Sequence, residues 1–325
     1  MRVLVSGVGA VGARAARYLV ADGSTEQVLV HDPDRKRRDA VVRSLGERSQ
    51  PVDEPDPTDA DVVLLASPVA RQAPLARAAV AAGRHVVSVG DSIPLVEQLL
   101  DLHAEARERG VVVAAGAGFG PGLSCVLARH AAGELDAVDE IHVAHHGTGG
   151  PACARQHHRA LRHTGLDWRD HTWRRRPPGS GRELCFFPDP IGGADCYRAA
   201  LPDALLLVPA FPTVSRVTAR VAATRRDRLT AGLPMLRPPH AEGRIGGLRV
   251  EVRGRRGGAR ATIVLGAVDR PAVAAGTVAA VTAVWVAAGR TLTKGAAGLA
   301  SLVEPLPFLH ELARAGVRAA VFEGA

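Results

Sequence analysis

Residues 2–12 read RVLVSGVGAVG. A short β-branched run ends in Gly7-Val8-Gly9-Ala10-Val11-Gly12, and a helical pattern follows through Tyr18, Leu19 and Val20. QVLVHD then reads as a second strand ending on Asp32, twenty residues after Gly12. A lone GxGxxG is a weak signal. Set between a strand and a helix, with an acid at the end of the next strand, it predicts a dinucleotide-binding βαβ unit. Gly7 permits the tight turn, Gly9 lets a pyrophosphate approach the backbone, and Gly12 lets helix and strand pack closely. Ala10 and Val11 open a helix whose unpaired N–H groups and positive dipole end suit the phosphates.

Asp32 would accept hydrogen bonds from the adenosine ribose, which favours NAD because a carboxylate repels a 2′-phosphate. Arg35 and the basic residues behind it, Lys36, Arg37 and Arg38, could instead hold that phosphate. The expected cofactor is NAD or NADP, with NAD favoured.

The α/β rhythm continues outward. ADVVLLASP (60–68), HVVSVGDS (85–92) and VVVAAGAGFGPG (111–122) are Val-rich runs separated by helical patterns. They predict a Rossmann-type doubly wound parallel sheet. Ligands bind beyond the carboxyl ends of such strands. Ala66, Ser67, Pro68 and Gly90 are therefore expected around the cofactor. Gly118, Gly120, Pro121 and Gly122 are expected around the substrate, with the helix they open offering an N-terminus to a substrate carboxylate.

From about residue 137 the pattern changes. DEIHVAHHG alternates as a half-wet strand does, and ARQHHRALRH is helical. RELCFF, VSRVTARVAA, LRVEVRG and ARATIVLGAV read as strands, and VEVRGRRGGARATIV as a hairpin about a Gly-Gly turn. PPGSG (177–181) and the Arg/Pro/Gly-rich stretch 225–247 read as loop excursions. The fold expected is α/β. A dinucleotide-binding domain spans 1–135 and is completed by 271–325. An inserted mixed α+β domain with an antiparallel sheet spans 136–270.

Composition agrees. The chain has 325 residues, 46% of them hydrophobic and only 3% aromatic, so Val, Leu and Ala must fill the core. The net charge of +8 comes from scattered arginines, since Lys36 and Lys294 are the only lysines. Runs such as Arg174-Arg175-Arg176 read as solvated loops or hairpin ends, and no nucleic-acid partner is expected. Cys125, Cys153, Cys185 and Cys196 include no CxxC pair, which points to free thiols in a reducing cytoplasm. Residues 271–289 are uncharged over about a membrane-spanning length. They are Ala, Gly, Val and Thr after Pro271, which reads as a buried helix rather than a span.

Residues 145–163, HHGTGGPACARQHHRALRH, hold five of the thirteen histidines. Cys153 and His157 fall on one helical face, but adjacent His145 and His146 point to opposite faces of a strand. The spacing matches no established metal motif, so no metal centre is expected. A histidine titrating near neutrality suits acid–base work. The catalytic candidates are His146 and His157, with Asp91 on the cofactor side. Gly149 and Gly150, before Pro151, and Arg155 are candidates for holding a substrate carboxylate.

GVGAVG, ASP, GRHVVSVGDS and GAGFGPGLSCVLARH together resemble the saccharopine dehydrogenase-like oxidoreductases over about residues 1–135. GTGGPA (147–152) resembles a Gly-Gly-x-Pro loop of some members. Sugar-type oxidoreductases fit less well, because Gly90-Asp91-Ser92 stands where they carry Glu-Lys-Pro. Dihydrodipicolinate and homoserine enzymes rely on a lysine that is not matched here. The resemblance implies NAD(P)-linked hydride transfer at a C–N bond of an amino-acid-like small molecule, and a homodimer formed through the second sheet. A carbonyl or alcohol dehydrogenase, or a dinucleotide-binding sensor without turnover, remains open at this level.

Overall fold

The computed structural model describes residues 1–235 and 238–321. Positions 236–237, inside the excursion, and 322–325, at the end of the tail, lie outside the described residues. The chain opens β1 (Arg2–Ser6), α1 (Ala10–Ala21), β2 (Gln27–His31), α2 (Arg35–Leu45), β3 (Ser49–Pro51), β4 (Val62–Leu65) and α3 (Val69–Ala81). It continues β5 (His85–Ser88), α4 (Ile93–Leu100), α5 (His103–Glu108), β6 (Val112–Ala114) and α6 (Leu123–Ala132). These strands pair in parallel in the order β3-β2-β1-β4-β5-β6. The strand order reverses between β1 and β4, which is the switch point where such sheets bind ligands. The central strands are almost fully buried. That is why they read as continuous Val/Leu runs without alternation.

The second domain runs β7 (Ala137–His146), α7 (Pro151–Ala160), β8 (Gly165–Arg169), β9 (Thr172–Arg176), β10 (Glu183–Phe187) and β11 (Gly192–Tyr197). Then come α8 (Asp203–Leu207), β12 (Arg216–Ala222), α9 (Arg225–Thr230), β13 (Gly246–Arg256) and β14 (Ala259–Asp269). The β13–β14 hairpin turns at Gly257-Gly258, with Arg256 opposite Ala259. The sheet departs from a purely antiparallel one, since β7 and β12 are parallel neighbours. The long crossover between them, carrying α7, makes this direction possible. A hairpin invisible to the turn chemistry is β8–β9. Its turn residues Asp170 and His171 take φ 51° and 54° without a glycine. Arg174–Arg176 thus lie on the largely exposed hairpin strand β9, and Arg176 pairs with buried Asp167 at 3.1 Å.

The tail follows with α10 (Pro271–Ala287), β15 (Gly295–Ala297), α11 (Leu299–Leu302), α12 (Pro305–Arg314) and β16 (Ala319–Val321). Helix α10 is buried along almost its whole length. Its small residues explain how: a Cβ on Gly276 would sit 2.7 Å from the Val11 carbonyl of α1. No helix among the described residues is long and apolar enough to cross a membrane. Strand β15 extends the first sheet beside β6, but β16 joins the second sheet against β14. The tail thus stitches both domains together rather than completing the first alone.

Candidate functional site

The turn after β1 is shaped for a phosphate. Gly7 has φ +93°, and a Cβ there would lie 2.5 Å from the Ser67 backbone nitrogen. A Cβ on Gly12 would overlap the Gly7 carbonyl oxygen, whereas one on Gly9 would project into open space. Gly9 is the N-cap of α1 and has no side-chain cap, so the helix end is left for an outside acceptor. The residues present therefore fit a dinucleotide pyrophosphate. Gly150, from the loop before α7, approaches this helix end: its Cβ would lie 3.0 Å from that of Ala10. Gly149 instead packs on Pro271 and Ala272. The Gly-Gly turn therefore lies over the start of α1.

Asp32 is buried and already engaged. Its carboxylate accepts from the Val8 and Asp34 amides at 2.9 Å each, and Arg37 stands 3.4 Å away. Two carboxylate oxygens retain lone pairs for a ribose. Arg38 is not free for a phosphate, since it binds Asp39, Asp53 and the Val52 carbonyl. Arg35 remains largely exposed beside Asp53.

A buried polar relay links the next two loops. Gln72 donates to the Ser67 carbonyl at 2.6 Å, Ser88 donates to Gln72 at 2.7 Å, and the Gly90 amide donates to Ser88 Oγ at 3.0 Å. It ties the Ala66-Ser67-Pro68 loop to the Gly90-Asp91 loop. Ser67 Oγ and Ser92 Oγ are buried and without a protein partner among the described residues.

Three side chains converge where these loops meet the second domain. Asp91 comes from the loop just beyond the carboxyl end of β5. Cys153 and His157 come from one face of α7, one turn apart. Cys153 Sγ lies 3.6 Å from Asp91 Oδ2 and 3.8 Å from His157 Nε2, and His157 Nε2 lies 3.4 Å from Asp91 Oδ2. Burial alone would lower the His157 pKa, but the Cys153 sulfur and the Asp91 carboxylate outweigh it and hold it well above the usual 6.5. His157 Nδ1 is buried without a partner among the described residues.

Of the three catalytic candidates, Asp91 and His157 are brought together and His146 is not. His146 lies on the opposite face of β7 from His145, against Phe187 at 5.6 Å between ring centroids. Burial pushes its pKa down. Arg155 is exposed, two residues from both Cys153 and His157 on α7, and so on the other side of the helix from them.

The Gly118–Gly122 loop does not leave the α6 N-terminus open to a carboxylate. It caps its own helix: the Leu123, Ser124 and Cys125 amides donate to the Gly118, Phe119 and Gly122 carbonyls. A Cβ on Gly122 would overlap Gly118, and Pro121 accepts from the Gly118 amide at 2.9 Å. Gly120 is small because His145 needs the room: a Cβ would meet its ring at 2.6 Å.

His145 and Asp203 were missed as a pair by sequence reading. His145 Nε2 lies 2.9 Å from Asp203 Oδ1, which also accepts from Ser124 Oγ at 3.2 Å. The one available signal was the charge itself. LPDALLLVP (201–209) is an apolar run with a single acid, and a buried acid needs a partner.

Comparison with known proteins agrees with this architecture. Residues 3–114 match the saccharopine dehydrogenase NADP binding domain. The saccharopine dehydrogenase (L-Glu forming) of Saccharomyces cerevisiae superposes with a TM-score of 0.72 at 16% identity, covering 99% of each chain. An amine dehydrogenase from Mycobacterium smegmatis superposes with a TM-score of 0.53 at 13% identity, covering 94% of this chain and 96% of that one. The class defined is the NAD(P)-binding oxidoreductase fold with a second, mixed-sheet domain. Within that fold, residues 3–114 are similar to the saccharopine dehydrogenase NADP binding domain, and the whole chain is similar in fold to the yeast saccharopine dehydrogenase.

Proposed function

We propose that the chain is an NAD(P)-dependent dehydrogenase acting at a C–N bond of an amino-acid-like small molecule, oxidising an amine or reducing the corresponding imine. The observation that carries this reading is the convergence of Asp91, Cys153 and His157 from two domains, at the carboxyl edge of a dinucleotide-binding sheet. The nicotinamide dinucleotide would supply or take the hydride. Gly7, Gly9, Ala10, Val11 and Gly12 would seat its pyrophosphate, Asp32 its ribose, and the Ala66-Ser67-Pro68 and Gly90 loops its nicotinamide end. Asp32 favours NAD over NADP, with Arg35, exposed beside Asp53, the arginine placed to tolerate a 2′-phosphate.

Asp91, Cys153 and His157 would stand against the reacting nitrogen. The Gly149-Gly150 loop covers the crevice from water. The names of the yeast and mycobacterial relatives support a substrate bearing an amine. Leu184 and Phe186, exposed on edge strand β10, support a homodimer formed through the second sheet. Four free cysteines support a reducing, cytoplasmic setting.

The test is cofactor turnover. Purified protein with NADH or NADPH and a panel of 2-oxo acids with amines should consume cofactor. Tight dinucleotide binding with no consumption across the panel, in either direction, would reject the enzymatic reading.

A further inference from the structure

Asp91, Cys153 and His157 bring three ligand-type atoms together, with both sulfur contacts at hydrogen-bond length and the histidine–carboxylate contact longer than a closed hydrogen bond. A charge-assisted hydrogen bond between imidazole and carboxylate closes to about 2.7–2.9 Å. Here His157 Nε2 and Asp91 Oδ2 stand 3.4 Å apart, although both side chains are packed in place. A tetrahedral zinc ion has bonds of about 2.3 Å to sulfur and about 2.0–2.1 Å to nitrogen and oxygen. Those bonds set the ligand atoms about 3.3–3.4 Å apart for nitrogen and oxygen, and about 3.5–3.6 Å apart when one is sulfur. The three sides found are 3.4, 3.6 and 3.8 Å. The nitrogen–oxygen and sulfur–oxygen sides match one face of a tetrahedron around an ion of that size, and the sulfur–nitrogen side is longer by about 0.2 Å.

The chemistry of the set is equally selective. One thiolate, one imidazole and one carboxylate form a borderline-soft site, suited to Zn2+ rather than to Mg2+ or Ca2+, which prefer oxygen. Structural zinc sites close with four protein ligands, whereas catalytic sites keep three and leave one position open. No fourth His, Cys, Asp or Glu joins this group among the described residues. The site is built, too: His157 is buried, Cys153 sits in the first turn of α7, and Asp91 lies in the loop just beyond β5 that the Ser88–Gly90 hydrogen bond ties down.

We propose that Asp91, Cys153 and His157 form a three-ligand Zn2+ site with its fourth position facing the substrate crevice. The inference deepens the dehydrogenase reading, on which the ion's role rests: the open position takes a water or the substrate's nitrogen or oxygen. Zinc binding itself rests only on the triangle.

The experiment uses the full-length, tag-free protein, stripped with a chelator and reloaded with Zn2+ or Co2+ alone. About one Zn2+ per chain should be retained after desalting. Co2+ should develop the visible absorption of a tetrahedral site together with a near-ultraviolet thiolate-to-cobalt charge-transfer band. Cys153→Ser should abolish that band, and Asp91→Asn should weaken Zn2+ binding by at least 100-fold, whereas Cys125→Ser should change neither. Circular dichroism and dinucleotide binding establish that each variant is folded. Loss of zinc on desalting, or a cobalt spectrum without a thiolate band in the wild-type protein, overturns the proposal without needing any variant. So does zinc retention unaffected by both ligand substitutions. No readout depends on turnover, so a failure of the proposed reaction would not register in them.

Discussion

Asp203, wholly buried at the start of α8, holds Nε2 of His145 at 2.9 Å, and the His145 ring in turn fills the space that Gly120 leaves. The pair joins β7 to α8 of the second domain, and Ser124 of α6 ties it to the first by donating to Asp203 at 3.2 Å. Removing one member of a buried pair leaves the other without compensation, at a cost of about 3–5 kcal/mol. Asp203→Ala is therefore expected to destabilise by about 3 kcal/mol in urea unfolding. A loss under about 1 kcal/mol would mean the pair is not a structural joint.

The glycines of the first turn separate fold from binding. Gly12→Val should destabilise the protein, because its Cβ overlaps the Gly7 carbonyl. Gly9→Ala should leave the melting temperature unchanged, because its Cβ enters open space. Its dinucleotide Kd should nonetheless rise about tenfold or more, a loss of about 1.4 kcal/mol. Unchanged affinity would show that no pyrophosphate passes over Gly9.

Asp32→Ser should move cofactor preference from NADH towards NADPH by about tenfold. It should also cost some stability, since the Val8 and Asp34 amides lose their carboxylate acceptor. Competitive binding of the two reduced cofactors reads the first effect and thermal unfolding the second. A preference unaltered by the substitution would place the ribose elsewhere.

The histidines of residues 145–163 should divide sharply. His157→Ala and Asp91→Asn are expected to lower kcat by about 10²–10⁴ with dinucleotide binding retained. His146→Ala should change kcat by less than about threefold, because His146 faces Phe187 rather than the Asp91–His157 group. Steady-state kinetics on the three variants decides it; the reverse pattern would move the chemistry to His146.

Acid should destabilise the fold near pH 6. His85 Nδ1 accepts the Val112 amide at 3.0 Å, a bond that protonation removes. Burial first, and then Lys294, push its pKa below 6.5. A lowered histidine pKa contributes stability that is fully present above the unfolded value and is lost as pH falls through the folded one. His31, His142 and His146 are pushed the same way by burial. Melting temperature should therefore fall as pH drops from about 7 to about 5. His85→Asn should flatten that fall, and an equally steep profile in the variant would exclude His85 as a contributor.

The two levels of description divide along sequence separation. The dinucleotide turn, the buried parallel strands, the Gly-Gly hairpin and helix α10 were legible because each rests on local geometry. A strand buried on both faces must be apolar throughout, and a helix crossing closely over another must be small-sided. Cys153 and His157 were legible as neighbours for the same reason: one helical turn brings them together. What the sequence by itself could not determine was the company they keep. Asp91 lies 62 residues from Cys153, and Asp203 lies 58 from His145. Packing of the second domain on the first brings Asp91 to Cys153, and folding within the second domain brings Asp203 to His145. His145 and His146 show the same limit: alternation predicts that they part, but which face meets the crevice is set by Gly120 and Phe187. The sequence determined a dinucleotide-binding frame. The tertiary structure decided which carboxylate closes the cysteine–histidine pair, because burial selects partners by distance in space rather than along the chain.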